Sequence, residues 1–448
     1  MLKRYDKYRE IDDFWIKEIP VLWNAEQMKY LFEEISEKNH PEEKTLVASQ
    51  HMGVVPKDIY GLRTVLASKG LESFKLVKVG DFVISLRSFQ GGIEYAYYQG
   101  IISPAYTILR GMNKIESNYF KYLAKSYAYI ALLKICVTGI REGQNIDYGI
   151  LKKHLIPVPP KSEQDKIVQF IDWKTSEMNR FIHQKKKQIK LLEELKQTII
   201  NRFIFSGIHN EEKKQTGFNW IPDIPKNWGL LKAKFLFEEI VDTGYGNELP
   251  LLSITNKDGV IPQSETGRKK RMSEVTTSYK RIKPGDIGYN LMNAFIGSLG
   301  VSKYDGLISP AYAVCRPIIK MCSKYFEYVY RTPQFMQEFD NNSYGIMIER
   351  NRLYFDNFKQ IVTPVPPYEE QLEIVEYLEA KLSEVDEMIS GINKEITLVE
   401  ELRTKLISDV VTGQVDVRDV KIPAYETETD IIDSEEDSDE ENQEESME

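Results

Sequence analysis

Histidine and cysteine are scarce in this 448-residue chain, with five of the former and three of the latter. Cys136, Cys315 and Cys322 form neither a CxxC pair nor an even-numbered framework, which excludes a disulfide scaffold and argues against structural zinc; they are expected in the core. His40, His51, His154, His183 and His209 are scattered, with no HExxH or other paired metal spacing. There is no GxxxxGK[ST] loop, so ATP hydrolysis at a P-loop is excluded, and Gly244-Tyr245-Gly246 lacks a third glycine and reads as a turn. No run of about 20 apolar residues occurs, and the charged start Met1-Leu2-Lys3-Arg4-Tyr5-Asp6 lacks the apolar centre of a signal peptide. A cytoplasmic protein with no membrane partner is expected.

Basic charge is missing from one end only. Residues 424–448 carry 13 acidic side chains and no basic ones, so the net charge of −9 resolves into a body of +4 and an acidic tail. Such a tail repels itself and has no apolar surface to bury, so disorder is expected for 416–448. The 42% apolar content of the whole is that of a globular protein with real cores.

What is present is a long internal repeat. Ile19-Pro20 with Trp23 returns as Ile224-Pro225 with Trp228, and Leu31-Phe32-Glu33-Glu34-Ile35 returns unchanged as residues 236–240. Gly80-Asp81 returns as Gly285-Asp286, Ile102-Ser103-Pro104-Ala105-Tyr106 as residues 308–312, and Pro157-Val158-Pro159-Pro160 as residues 364–367. A period near 205–207 residues is too long for a solenoid unit and marks a duplicated domain. Each copy mixes alternating runs such as Phe82 to Leu86 with helical runs, among them Glu26 to Ile35 and Ser117 to Lys134.

Each proline cluster stops the domain before it and opens a Gly- and Pro-poor stretch rich in Glu, Lys, Gln, Ile and Leu. Two long helices are predicted, about 65 Å each at about 1.5 Å per residue. Ile171, Met178, Leu192 and Ile199 form a heptad stripe in the first, interrupted by Lys185 and flanked by Phe181 and Leu195, with Ile182, Ile189 and Phe203 beside them. Leu378, Val385, Ile392, Val399 and Leu406 form one in the second, flanked by Met388, Leu402, Leu382, Ile389, Ile396 and Val410. A lone helix would expose such a seam to water, and two copies related by a local two-fold axis would pair antiparallel. The predicted organisation is α+β: domains at 1–160 and 208–367, helices at 161–207 and 368–415, and the tail from 416.

No catalytic constellation in the sequence is complete. Pro366-Pro367-Tyr368 matches the end of the tetrapeptide of amino-directed DNA methyltransferases, but Val365 stands where an Asn, Asp or Ser must grip the amino group. The repeat partner reads Pro159-Pro160-Lys161, so this is a helix-entry element. Pro222-Asp223 has no Asp/Glu-x-Lys partner for a nuclease site.

A binding role is left. Two similar domains held apart by a rod suit duplex DNA, whose major-groove faces recur about every 34–36 Å. Arg268-Lys269-Lys270-Arg271 with Lys280 is the densest basic stretch, fit to neutralise phosphates. Base-edge readers are sought among Arg141, Gln144, Gln50, His51 and Lys57 in the first copy, and Asn256, Lys257, Arg350 and Arg352 in the second.

The order of an IPxxW entry, a Gly-Asp strand, SPAY, a glycine-arginine loop and a PVPPxxEQ helix entry, given twice, resembles the specificity subunit of type I restriction-modification enzymes. The resemblance covers about Trp15 to Val417. It implies two target-recognition domains reading the halves of an asymmetric bipartite site, and an antiparallel coiled coil that sets the unread spacer and docks methylation subunits, expected to be two. S-adenosylmethionine would be held by those partners and ATP and Mg²⁺ by motor-nuclease subunits, with no cofactor or metal on this chain and no catalysis by it. The alternatives are a self-contained methyltransferase or nuclease, and a coiled-coil scaffold that binds protein only.

Overall fold

A computed structural model describes residues 3–60, 70–85, 88–138, 145–245, 249–266, 277–345 and 351–425. It divides into two units, Met1–Lys186 with Asn393–Glu448, and Lys187–Ile392. The boundary falls inside both long helices, Lys161–Ser206 and Tyr368–Val411, so each unit holds one globular domain with half of each helix.

In the first unit, β1 (Phe32–Ile35), β4 (Phe82–Ile84), β5 (Glu94–Tyr95) and β6 (Thr107–Gly111) form an antiparallel sheet in the order β1-β6-β4-β5, and β2 (Leu46–Ser49) and β3 (Gly53–Pro56) form a separate hairpin. The run Glu26 to Ile35, expected as helix, is instead extended at Asn24–Gln27 and in β1. Leu31 and Phe32 are buried while Glu33 and Glu34 face water. Tertiary burial of Phe32 against Phe82 and Phe120 overrides the helix-forming glutamates, which protect an edge strand from further pairing.

The repeated motifs hold this unit together. Gly80, at φ 91°, turns the chain so that Asp81 receives Arg110 through two hydrogen bonds of 2.7 Å each and the Lys78 amide at 2.8 Å. Glu163, in the first turn of the long helix, accepts from Trp23 Nε1 at 2.9 Å and Tyr5 Oη at 2.6 Å. Gln164 accepts the Glu116 amide at 2.8 Å and donates to the Pro159 carbonyl at 2.9 Å, so the helix entry is fastened to the domain. The other long helix ends here: Tyr119 Oη, in α1 (Ser117–Ala124), donates to the Val411 carbonyl at 2.8 Å, satisfying one of the acceptors every helix C-terminus leaves open. Val417 is fully buried, and Val415, Val420 and Ile422 pack on the same core. The expected tail from 416 is therefore folded through these residues, because the chain after Gly413 still has apolar side chains to bury; residues 426–448 lie outside the described ones.

The second unit repeats the design. β7 (Phe237–Glu239), β10 (Ile287–Asn290), β11 (Leu299–Val301) and β12 (Tyr312–Pro317) form a sheet in the order β7-β12-β10-β11, beside a hairpin of β8 (Leu252–Thr255) and β9 (Gly259–Pro262). Asp286 takes Arg316 at 2.7 and 2.9 Å, Trp228 Nε1 donates to Glu370 at 3.0 Å, and Tyr325, in α2 (Ser323–Tyr330), donates to the Ile204 carbonyl at 3.1 Å near the end of the first long helix.

Within each unit the two helix segments run antiparallel. In the first unit Asn179 meets Arg403 (2.6 Å) and Lys185 meets Glu395 (2.7 Å). In the second, Lys196 meets Asp386 (2.6 Å) and the Phe203 and Tyr377 rings pack at 4.6 Å. Ile171, Leu378 and Val385 are buried in the seam, and Met178, Leu192, Ile199, Ile392, Val399 and Leu406 are half-buried. Of the expected flanking residues, Phe181, Leu195, Met388 and Leu402 are exposed, whereas Ile182, Leu382 and Ile396 are buried and Ile189 and Ile389 half-buried, as the spacing predicts; Lys196 is half-buried as well. One residue is about 100° of helix rotation, enough to move Phe181 off a seam that Ile182 occupies.

Candidate nucleic-acid interface

Each unit carries its hairpin tip at a cleft, and the two tips are built alike. In β2–β3 the turn is Gln50-His51-Met52, with Ser49 Oγ accepting the His51 and Met52 amides and Gly53 at φ 72°. In β8–β9 it is Asn256-Lys257-Asp258, with Thr255 Oγ1 accepting the Asp258 amide at 2.9 Å and Gly259 at φ 68°. A cation from a helix end fastens each tip: Lys125 Nζ donates to the Gln50 carbonyl at 3.3 Å, and Arg331 donates to the Asn256 carbonyl and, at 3.1 Å, to that of Lys257. The side chains of Gln50, His51, Asn256 and Lys257 are exposed.

Behind these like frames the chemistry differs. The cleft of the first unit, about 660 Å³, is lined by Gln50, His51, Tyr95, Tyr97, Lys121 and Glu94, among others. Lys121 lies 4.8 Å from the Tyr122 ring centroid and 5.7 and 5.9 Å from those of Tyr95 and Tyr97; burial lowers its pKa, against the opposing pull of Asp172. Glu94 is 1% exposed, pairs with Lys125 at 2.7 Å through Oε2, and has no hydrogen-bond partner at Oε1 among the described residues. The sheet register that sets Val83 against Glu94 sets Gly288 against Gly300, so the matching position in the second unit has no side chain. There the cleft, about 370 Å³, is lined by neutral amides and hydroxyls such as Asn256, Asn290, Asn293 and Thr266, with Lys257 and Asp258 at its tip.

Burial pushes the Glu94 pKa up to about 7, with Lys125 opposing the shift. A carboxyl whose folded pKa is raised binds its proton more tightly when folded, so its contribution to stability falls as pH rises from about 4.5 to about 7. Glu94→Gln is expected to gain on the parent by about 2 kcal/mol between pH 5 and pH 8. Denaturant unfolding at both pH values measures this, and a difference that does not change with pH contradicts it.

The other sequence candidates are dispersed. Lys57 lies at the foot of the first hairpin. Lys280 Nζ donates to the Tyr312 carbonyl at 2.8 Å, as Lys75 does to that of Tyr106 at 2.7 Å, so it braces the SPAY turn instead of presenting a free charge. Arg352 is exposed beside the bridge Tyr344↔Arg352. Arg141, Gln144, Arg268, Lys269, Lys270, Arg271 and Arg350 lie outside the described residues. Sequence reading missed Glu94, Lys121 and Lys125, which come from separate elements with no common motif; the nearest signal was the aromatic run Tyr95-Ala96-Tyr97-Tyr98. Among the described residues, no group of three His, Cys, Asp or Glu is placed to hold a metal, and no helix is long and apolar enough to cross a membrane.

Residues 25–191 match the family model of the type I restriction modification DNA specificity domain. The chain is 23% identical over 438 residues to the type I restriction enzyme MjaX specificity subunit of Methanocaldococcus jannaschii, covering 90% of this chain and 96% of that one. Over nearly its whole length it is thus similar to a type I specificity subunit. The MjaVIII specificity subunit of the same organism is 24% identical over 395 residues, covering 80% of this chain and 85% of the relative. A structure solved for the assembly and conformational transition of a type I R-M system superimposes with a TM-score of 0.63 at 16% identity, covering 89% of this chain and 99% of its counterpart, and so has the same fold. The IPxxW entry, the Gly-Asp turn and the EQ helix start, which carried the resemblance, are the fastenings described above.

Proposed function

We propose that this chain is the DNA-reading subunit of a type I restriction-modification complex, each unit reading one half of an asymmetric bipartite duplex target. The observation that carries this is the pair of like hairpin frames with unlike tips and clefts: equal scaffolds present different donors and acceptors, as two different half-sites require. The first unit offers Gln50 and His51 with charged groups behind them, and the second offers Asn256 and Lys257 over an amide-rich cleft. The long helices dock the methylation subunits, which supply S-adenosylmethionine, and motor-nuclease subunits supply ATP and Mg²⁺ chemistry. The chain itself is non-catalytic and works in the cytoplasm.

The test is target selection from a random duplex pool by the complex with its methylation subunits. Replacing both Gln50 and His51 with Ala is expected to weaken cognate binding by about 2–4 kcal/mol and relax preference in one half-site only. Unchanged selection refutes these contacts, and methyl transfer by the chain freed of partner subunits refutes the non-catalytic assignment.

A further inference from the structure

We propose that the Gln50–His51 cleft of the first unit is the docking surface for the chain's own acidic C-terminal segment, residues 426–448, which competes there with DNA. The inference rests on the DNA-reading function proposed above.

The root of that segment is fixed within this unit. Val417 is fully buried, the Asp416 amide donates to the Lys3 carbonyl at 2.8 Å, and Arg418 pairs with Asp416 at 2.7 Å and lies 4.9 Å from the Tyr5 ring centroid. From there the chain runs to Tyr425, the last described residue, whose side chain lines the same cleft as Gln50 and His51. The next 23 residues carry 13 acidic side chains and no basic ones.

The cleft offers cations to meet them. Lys121 lies among three tyrosine rings, and burial strips it of water that an anion would replace. Arg403 donates to the neutral Asn179, which leaves its charge uncompensated by that bond, whereas Lys125 is matched by Glu94. Asp172 accepts from Tyr122 Oη and is the second acid of the cleft wall. An extended segment of this length reaches at most about 80 Å, so distance from Tyr425 does not prevent docking. Tethering gives a segment rooted at the site an effective concentration of order millimolar, so if its intrinsic Kd is as weak as the weak end of non-specific phosphate-backbone binding, about 10⁻⁴ M, competition of about tenfold follows.

Three complexes with the methylation subunits are compared for binding a non-cognate duplex: the full chain, a chain ending at Tyr425, and a chain of full length with all 13 acids of the segment changed to Gln or Asn. Both variants are expected to bind about tenfold more tightly than the parent at about 50 mM salt and equally at about 500 mM. Hydrogen exchange of residues 49–53 and 121–125 is expected to rise on truncation. If the parent binds duplex and neither variant gains more than twofold, the docking is refuted and DNA reading stands. If truncation tightens binding but neutralisation does not, charge competition is refuted; unchanged exchange at both segments refutes the location. Failure of all three complexes to bind duplex DNA refutes the DNA reading itself.

Discussion

Glu163→Ala is expected to destabilise the first unit by about 3–5 kcal/mol, more than any other single change at the repeated motifs. Its carboxylate accepts from both Trp23 Nε1 and Tyr5 Oη, on side chains 1% and 6% exposed. Truncation leaves two donors buried without water, and each orphan costs about 1–3 kcal/mol. The second unit is an internal comparison, since among the described residues Glu370 serves Trp228 with no counterpart of Tyr5; Glu370→Ala is expected to cost about 2 kcal/mol. Glu163→Gln keeps an acceptor oxygen and should recover most of the loss. Hydrogen exchange across Ser117–Ala124 and Ser323–Tyr330 reads the two units separately, and equal losses at both sites contradict this account.

Asp81→Ala and Asp286→Ala are each expected to cost about 3 kcal/mol. Each carboxylate is buried and takes an arginine through two bonds, with a third from a backbone amide three residues earlier. Removal strands that amide and an arginine guanidinium. Arg110 and Arg316 keep side-chain exposures of 31% and 29%, so water recovers part of their charge and the cost stays at the low end for a broken buried pair. Asn in place of Asp preserves an acceptor for the amide and should lose about half as much. Denaturant midpoints measure the difference, and a loss below about 0.5 kcal/mol for Asp→Ala shows that the Gly-Asp turn stands without the pair.

The repeat made the frame legible. IPxxW, Gly-Asp, SPAY and EQ survive in both copies, and in the structure each closes the same contact twice: Trp on Glu, Asp on Arg, Ser Oγ on the Ala amide of the turn, Gln on the loop before α1 or α2. The heptads likewise disclosed two long helices, because burial of a period-seven stripe depends on sequence spacing alone. Local spacing failed where long-range burial decided. The glutamate-rich run at Leu31 became a strand because Phe32 is held by Phe82 and Phe120. Lys280 became a brace because a carbonyl from the SPAY turn stands 2.8 Å away.

The amino-acid sequence by itself determined the duplication, the two helices, the scarcity of metal and nucleotide-loop motifs, and the unlike stretches between like motifs, since all of these are properties of order and spacing along one chain. Only the tertiary structure decided that Glu94, Lys121, Lys125 and Arg403 share one cleft with Gln50 and His51, that the matching position across the repeat is Gly300, and that Tyr425 lines that cleft. Those groups are separated by up to several hundred residues and meet only because strand pairing and helix packing close the distance, which no local periodicity encodes.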